Sequence, residues 1–287
     1  MKIIYAAVPL AAAVLLAGCK GFWDPLPTND GGGGTTPTTL SSGPFYVLNQ
    51  TKGQIVAYNI SSGSLKTIGT YSITAPVAIA IAPDKNYLYV STLTSGIFVY
   101  NINSSGALTL ANNQQALSSD PDAAVQVDTT SSWLIDAFIT GSQLQLDAIP
   151  LNSNGTYTSG TNVPSVSFTI SSAVVKQMVL SPQGDTLFLA LGNGGAIAIP
   201  FNAANSTPVG TTAKVLVAPT SNQAVLSVAV DPQQRLFYLG ETNSVSSSGG
   251  LLAFSYGSLT SGTPTQITGS PIASGNPSPS AILAEAS

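Results

Sequence analysis

Histidine is absent from this 287-residue chain, and only one cysteine is present. Without an imidazole group there can be no Ser-His-Asp triad, no histidine base and no ordinary zinc or copper site. A single cysteine excludes an internal disulfide bond. The sequence also has no glycine-rich motif of the kind that cradles phosphates. We therefore expect neither a metal ion nor a cofactor.

Charged side chains are scarce as well. They make up 7% of the residues, with 8 basic and 12 acidic side chains, whereas an ordinary soluble domain has about a quarter. No basic cluster is present to attract a phosphate backbone, so nucleic acid is a poor candidate partner. At 44% hydrophobic the chain is too apolar for disorder. Its hydroxyl- and amide-rich polar residues indicate a β protein that works outside the cytoplasm.

The N-terminus has the pattern of an export signal. Residues 1–18 contain Lys2, an apolar run over Ile3–Leu15 and then small residues before Cys19. The run is too short for a transmembrane helix of about 20 residues and is typical of a signal peptide. Its end resembles the lipobox of bacterial lipoproteins, which implies a lipid on Cys19. The alternative is a plain secretory signal with an incidental cysteine.

The residues after the cysteine predict where the protein is held. An Asp directly after the lipid-bearing cysteine would resemble the inner-membrane retention signal. This chain has Lys20 at that position, so the outer membrane of a bacterial cell envelope is favoured. Residues 19–43 contain four consecutive glycines with Pro and Thr, which predict a flexible tether. The remaining residues, 44–287, are predicted to form one domain and to be monomeric.

A unit of about fifty residues repeats along this domain. Each unit has a first strand, a turn, a second strand with an aromatic residue and then further strands. The clearest copies are Pro76–Ser91, Ala123–Ala137, Val175–Ala190 and Val225–Gly240, and their second-strand residues Tyr89, Ile135, Phe188 and Tyr238 align. Four short strands per unit, separated by turn residues, are typical of a β-propeller blade.

The two ends of the domain contain complementary parts of one more unit. Residues 279–287 match a first strand, and residues 43–73 supply a second, third and fourth strand. Pairing them would close the ring and remove its exposed edges. The prediction is therefore an all-β propeller of five four-stranded blades, closed by the C-terminal strand. A fragment of a larger propeller is the alternative.

The segment Pro76–Asn101, with its Pro-Asp turn, LYVS and IFVYN, resembles the YVTN-type repeats of bacterial propellers. The domain is also similar to the lactonase-like propeller family that includes a phosphogluconolactonase. This resemblance covers roughly residues 44–287 and implies lactone hydrolysis. Members of that family typically have seven blades, whereas this chain has material for five.

Ligands of propellers usually meet the loops that join second to third strands and one blade to the next, which we call the loop face. On this chain the loop face would contain Asn49, Lys52, Asp120, Asp122, Gln143, Asn193, Glu241 and Asn243. Solvated turns would explain the same residues.

Two further acids, Asp136 and Asp147, stand at positions that are apolar in the other units. A buried carboxylate is costly unless it is hydrogen-bonded or protonated. They could form a carboxylate pair for a cation or an acid–base step, or they could reach solvent in a divergent blade.

Two main functions are predicted from these features. The first is a non-catalytic, membrane-anchored binding module that takes a protein, peptide or glycan on its loop face. The second, implied by the resemblance, is a lactone hydrolase, which needs an activated water and an oxyanion stabiliser. Candidate bases are Asp122 and Glu241, with Asp136 and Asp147 as the possible pair. Candidate stabilisers are Lys52 and Lys176. A calcium site is a third possibility, although no ligand spacing supports it.

Overall fold

The computed structural model describes most of the predicted domain. The signal segment, Cys19 and the linker lie outside the described residues, as do Asp120 and Asp122. Among the residues described, no helix has the length and apolar character needed to cross a membrane. The described residues are 43–61, 64–111, 116–117, 124–158, 162–243, 249–261, 264–272 and 279–284.

Five antiparallel sheets follow one another along the described chain. Sheet 1 has β1 (Pro44–Asn49), β2 (Gln54–Ser61) and β3 (Ser64–Ser72). Sheet 2 has β4 (Pro76–Ile81), β5 (Tyr87–Thr92), β6 (Gly96–Ile102) and β7 (Leu108–Leu110). Sheet 3 has β8 (Ala124–Val127), β9 (Trp133–Thr140), β10 (Gln143–Pro150) and β11 (Ser165–Thr169).

Sheet 4 has β12 (Gln177–Leu180), β13 (Thr186–Ala190), β14 (Ala196–Pro200) and β15 (Lys214–Val217). Sheet 5 has β16 (Gln223–Val230), β17 (Leu236–Asn243) and β18 (Gly250–Ser255), and a short helix, α1 (Ser258–Ser261), follows it. The predicted all-β domain of consecutive strands is thus confirmed. Sheets 2, 3 and 4 have the predicted four strands, whereas sheets 1 and 5 have three each within the described residues.

The three middle sheets are buried on both faces because successive strand residues point in opposite directions, whereas sheets 1 and 5 each contribute to one core. In β13, for example, Leu187 and Leu189 belong to the core shared with sheet 3, and Phe188 belongs to the core shared with sheet 5. The described chain has four such cores, each between two consecutive sheets. The nearly continuous apolar second strands of the sequence follow from this two-sided burial.

Hydrogen bonds from tyrosine side chains join consecutive sheets at the end of the sheets opposite the loop face. Tyr46 Oη in sheet 1 donates to the Gly106 carbonyl in sheet 2 at 2.9 Å. Tyr89 Oη in sheet 2 donates in the same way to Gly155 in sheet 3, also at 2.9 Å. Burial raises the pKa of both phenols well above the ordinary value. Two members of the aligned column, Tyr46 and Tyr89, therefore fill the core and also fasten sheet 1 to sheet 2 and sheet 2 to sheet 3.

Sheets 4 and 5 are joined by a different pair, because Phe188 occupies the aligned position and has no hydroxyl group. Tyr256 Oη instead donates to the Asp185 carboxylate at 2.7 Å, and Ser181 Oγ donates to the same carboxylate at 2.6 Å. Burial alone would raise the pKa of Asp185, but hydrogen bonds from Ser181, Tyr256, Thr186 and Gln234 outweigh it and lower that pKa.

The predicted closure of the ring is not confirmed. Sheet 1 contains three strands, and residues 279–284 form no strand. The Pro279 carbonyl nevertheless accepts a hydrogen bond from Ser227 Oγ at 2.8 Å. A Cβ atom built on Gly240 would lie 2.3 Å from the same carbonyl oxygen. The C-terminal segment therefore lies against the first two strands of sheet 5.

Candidate functional site

The hairpin between β13 and β14 is hydrogen-bonded to the beginning of β16, the first strand of sheet 5. The backbones of Gly192 and Val225 exchange two hydrogen bonds, at 2.9 and 3.0 Å. Asn193 Nδ2 also donates to the carbonyls of Thr220, Ser221 and Gln223, at 3.2, 3.3 and 2.9 Å. A loop-face residue thus holds two sheets together. We call this contact, with the side chains of Lys176, Asn193, Gln223 and Glu241 around it, the sheet 4–5 seam.

Glu241 is the buried acid of the seam. It lies in β17 directly opposite Val225 and is only 3% exposed. Gln223 Nε2 donates to Glu241 Oε1 at 3.1 Å. Burial raises the pKa of Glu241, and the hydrogen bond from Gln223 only partly opposes this effect. A carboxyl group with a raised pKa is suited to proton transfer near neutral pH.

Lys176 brings a positive charge to the same seam. It is exposed, and its backbone N–H donates to the Ala190 carbonyl at 2.9 Å, just before β12 begins. Its side chain runs past Gly192, since a Cβ atom built there would lie 3.4 Å from Lys176 Cε. Lys176 and Glu241 therefore flank the same Gly192–Val225 contact from two sheets. An ammonium group and a buried carboxyl group in one seam can serve charge stabilisation and proton transfer.

Asp136 and Asp147 lie elsewhere, on directly opposed positions of β9 and β10. Their side chains consequently share one face of sheet 3, the face turned toward sheet 2. Asp136 is fully buried and Asp147 is half-buried. Gln145 Nε2 donates to Asp147 Oδ1 at 3.2 Å. The two acids are adjacent, as a carboxylate pair requires, and they form a location separate from the seam.

The other predicted loop-face residues of the described chain do not gather around a common point. Asn49 Oδ1 accepts a hydrogen bond from the Lys52 backbone at 3.0 Å, which is a turn cap, and the Lys52 side chain is exposed. Gln143 is an exposed residue at the start of β10. Asn243 lies at the end of β17, opposite Gln223. Within the described ranges, no group of three or more acids, cysteines or histidines is close enough to hold a metal ion.

Sequence reasoning missed Gln223, which orients Glu241. The available signal was an amide placed two residues before the aligned strand residue Val225, opposite the end of β17. It also missed Gln50, whose Nε2 donates to the Val77 carbonyl at 2.7 Å. Gln50 joins sheet 1 to sheet 2 as Asn193 joins sheet 4 to sheet 5.

Comparison with known proteins identifies the class. Residues 38–192 match the model of the family described as lactonase, 7-bladed beta-propeller. The match covers more than half of the chain, so the chain belongs to this family of β-propellers. Lys176, Asp136 and Asp147 lie within the matched residues, and Gln223 and Glu241 lie beyond them. None of the curated proteins compared with this chain matches it.

Solved structures agree on the fold. A proposed 6-phosphogluconolactonase from Bacteroides fragilis is 16% identical with a TM-score of 0.61, over 81% of this chain and 68% of that one. One from Bacteroides uniformis is 17% identical with a TM-score of 0.56, over 77% and 64%. Kuenenia stuttgartiensis hydrazine synthase is 15% identical with a TM-score of 0.54, over 75% and 62%. This chain thus spans 62–68% of the length of these three structures.

Proposed function

We propose that this protein hydrolyses a lactone at the sheet 4–5 seam, with Glu241 as the general base and Lys176 as the charge stabiliser. The observation that carries the proposal is the buried carboxyl group of Glu241, held by Gln223 beside the contact that Lys176 also flanks. Membership of the lactonase family supports the reaction class. The names of the two Bacteroides structures support it as well.

The reaction needs a proton acceptor for water and a positive charge for the carbonyl oxygen. In the proposed step, Glu241 takes a proton from water while the water oxygen bonds to the lactone carbonyl carbon. The Lys176 ammonium group stabilises the negative charge that develops on the carbonyl oxygen. The ring C–O bond then breaks, and the leaving oxygen takes the proton back from Glu241. One lactone and one water give one hydroxy acid.

The hydrogen bonding of Glu241 suits this role. Gln223 engages Oε1, and within the described chain no hydrogen bond reaches Oε2. The proposal assigns the proton transfer from water to Oε2. Gln223 would act as a positioning residue, because its amide fixes the plane of the carboxyl group.

A lactone-hydrolysis assay tests the proposal. The full chain and its variants would be titrated in a pH-stat with 6-phosphogluconolactone and glucono-δ-lactone. Glu241→Gln should lower kcat/KM by about 100-fold or more, the usual contribution of a general base. Lys176→Met should lower kcat by about 10-fold or more. Asp147→Asn serves as the matched acid variant and should leave the rate unchanged.

The outcomes separate the alternatives. A rate lost in Asp147→Asn but kept in Glu241→Gln would move the catalytic site to the carboxylate pair of sheet 3. A wild-type chain that hydrolyses neither lactone above the buffer rate would contradict the proposal and return the binding module as the better function.

We also propose that the protein is held at the cell envelope by a lipid on Cys19. The short apolar segment and the unique position of the cysteine support this attachment. Cells labelled with an alkynyl fatty acid should yield labelled wild-type protein in the membrane fraction. Cys19→Ala should carry no label. A label that persists in this variant would contradict the attachment.

Closure of the ring as five blades is the remaining structural proposal. The position of Pro279 against Ser227 supports it, because the C-terminal segment lies beside the first strand of the last sheet. Hydrogen exchange provides the test. Pairing with the C-terminal strand would protect the β1 amides that face away from β2, and truncation after residue 278 should remove that protection. Rapid exchange in the full chain would contradict closure.

A further inference from the structure

At the turn end of sheets 2 and 3, opposite the loop face, a cleft of about 290 Å³ opens between the two sheets. This volume lies close to the lower limit of ordinary ligand sites, about 300 Å³. We call it the turn-end cleft. It is lined by Asp84, Tyr87, Tyr89, Thr130, Ser131, Ser132, Leu151, Asn152, Ser153 and Gly155. We propose that the turn-end cleft binds a neutral pyranose sugar.

The charge of the lining disfavours an anionic ligand. Asp84 is the one charged side chain among the lining residues, and none of them is Lys or Arg. Asn86 donates to Asp84 through its backbone N–H at 3.0 Å and its Nδ2 at 3.1 Å. A carboxylate has about four lone-pair positions, so this carboxylate can accept two more hydrogen bonds. A sugar offers adjacent hydroxyl groups as donors.

Hydroxyl groups line the opposite side of the cleft. Ser131 and Ser153 make no side-chain hydrogen bond to any described part of the chain. The Thr130 hydroxyl group donates to the Asp128 carboxylate, so Ser132 Oγ donates to Thr130 Oγ1 at 2.8 Å. The hydroxyl groups of Ser131 and Ser153 can both donate and accept, whereas those of Thr130 and Ser132 can only accept. A ligand that carries several hydroxyl groups of its own can satisfy these groups in either direction, whereas an apolar ligand would leave them unsatisfied.

An aromatic ring supplies the apolar contact that a sugar needs for its C–H faces. Tyr87 is half-buried and packs with its ring on Gly155, where a Cβ atom would lie 2.4 Å from Tyr87 Cγ. Only glycine allows this approach, and its φ of +70° also favours glycine. Leu151 adds apolar surface to the same cleft. Aromatic and hydroxyl groups are therefore combined within one small volume.

The walls of the cleft are already fixed. The Asp128 carboxylate accepts the backbone N–H groups of Thr130, Ser132 and Trp133 at 2.8, 2.7 and 2.7 Å. On the other side, Tyr89 Oη holds the Gly155 carbonyl at 2.9 Å. A site whose backbone is fixed before binding loses less conformational entropy when the ligand arrives.

Calorimetric titration of the full chain tests the proposal with named probes. These are the methyl glycosides of β-D-glucopyranose, β-D-galactopyranose and α-D-mannopyranose, with free D-glucose and glucose 6-phosphate. At least one methyl glycoside should bind with a Kd of about 1 mM or lower. Glucose 6-phosphate should bind about 10-fold more weakly than glucose, because its phosphate meets Asp84 and no cation. Equal affinity for glucose and methyl β-D-glucopyranoside would support the proposal and extend it to the end of a glycan chain.

Variants locate the site. Asp84→Asn and Tyr87→Ala should each raise Kd by about 10-fold, and Ser153→Ala should raise it several-fold. Ser104→Ala is the matched control, because Ser104 has the place of Ser153 in the corresponding turn of sheet 2. Thermal unfolding would confirm that each variant is folded. Glu241→Gln should bind sugar normally, so this proposal can fail or succeed independently of lactone hydrolysis.

Two results would overturn the proposal. The first is the absence of saturable binding for all three methyl glycosides up to about ten times the expected Kd. The second is a Kd that neither Asp84→Asn nor Tyr87→Ala changes, which would place any bound sugar elsewhere on the chain.

Discussion

The hydroxyl group of Tyr89 provides a direct measure of how strongly one sheet is fastened to the next. Tyr89 is fully buried, and its Oη donates to the Gly155 carbonyl at 2.9 Å. Tyr89→Phe removes this donor and keeps the ring. Phe188 stands at the aligned position of sheet 4 and is fully buried, so a ring without the hydroxyl group fits this kind of core.

The expected loss follows from the burial of both partners. A hydrogen bond contributes about 1 kcal/mol net, and a buried acceptor left without a partner costs about 1–3 kcal/mol. Gly155 is buried, and among the described residues no second hydrogen bond reaches its carbonyl. We therefore expect Tyr89→Phe to lower the free energy of unfolding by about 2 kcal/mol. For a chain of this size the corresponding fall in Tm is about 4–8 °C.

Tyr87→Phe is the matched control. Tyr87 Oη is 3.4 Å from the Ser153 carbonyl, at the limit of a hydrogen bond, and its side chain is half-buried. Its loss should cost less than about 0.5 kcal/mol. Urea unfolding followed by tryptophan fluorescence would measure both variants. Equal losses in the two variants, or a loss below about 0.5 kcal/mol for Tyr89→Phe, would refute the assignment of the inter-sheet hydrogen bond.

Further perturbations test close packing and buried charge. Gly195→Ala should lower the free energy of unfolding by more than about 3 kcal/mol, because the new Cβ would lie 2.0 Å from the Val217 carbonyl oxygen. Gly141→Ala, which has open space around it, should lower it by only about 1 kcal/mol. Urea unfolding would measure both variants. Burial raises the pKa of Glu241, so its stabilising contribution is lost as pH rises, and Glu241→Gln should gain more stability at about pH 8 than at about pH 4. Hydrogen bonds lower the pKa of Asp185, so its contribution is lost in acid, and Asp185→Asn should lose more stability at about pH 7 than at about pH 3. A pH-independent difference in thermal unfolding for either acid variant would contradict these signs.

Much of the fold could be predicted from the sequence because each sheet repeats the same physical problem. Two-sided burial requires apolar second strands, and tight turns require Pro, Asp and Gly, so the units align on Pro83, Pro182 and Pro232. The aromatic column was also readable. The hydrogen bond that Tyr89 donates to Gly155 could not be predicted in the same way, because the two residues lie 66 positions apart along the chain.

The candidate site was less predictable for the same reason. Lys176, Asn193 and Glu241 were identified singly as residues that could meet a ligand. That all three belong to one seam depends on the pairing of Gly192 with Val225, which joins a hairpin to the following sheet. Local pattern fixes the strands within one unit, whereas contacts between units depend on how adjacent sheets pack.

Because each core is shared by two consecutive sheets, each sheet of the described chain packs only against the sheets next to it. Unfolding a middle sheet would expose apolar surface of two cores, whereas unfolding sheet 1 or sheet 5 would expose apolar surface of one core. In the described chain, local opening should accordingly begin at sheet 1 or sheet 5, and closure of the ring would suppress it. Glu241 lies in sheet 5. Local opening of this sheet would therefore expose its carboxyl group to water and return its pKa toward the ordinary value.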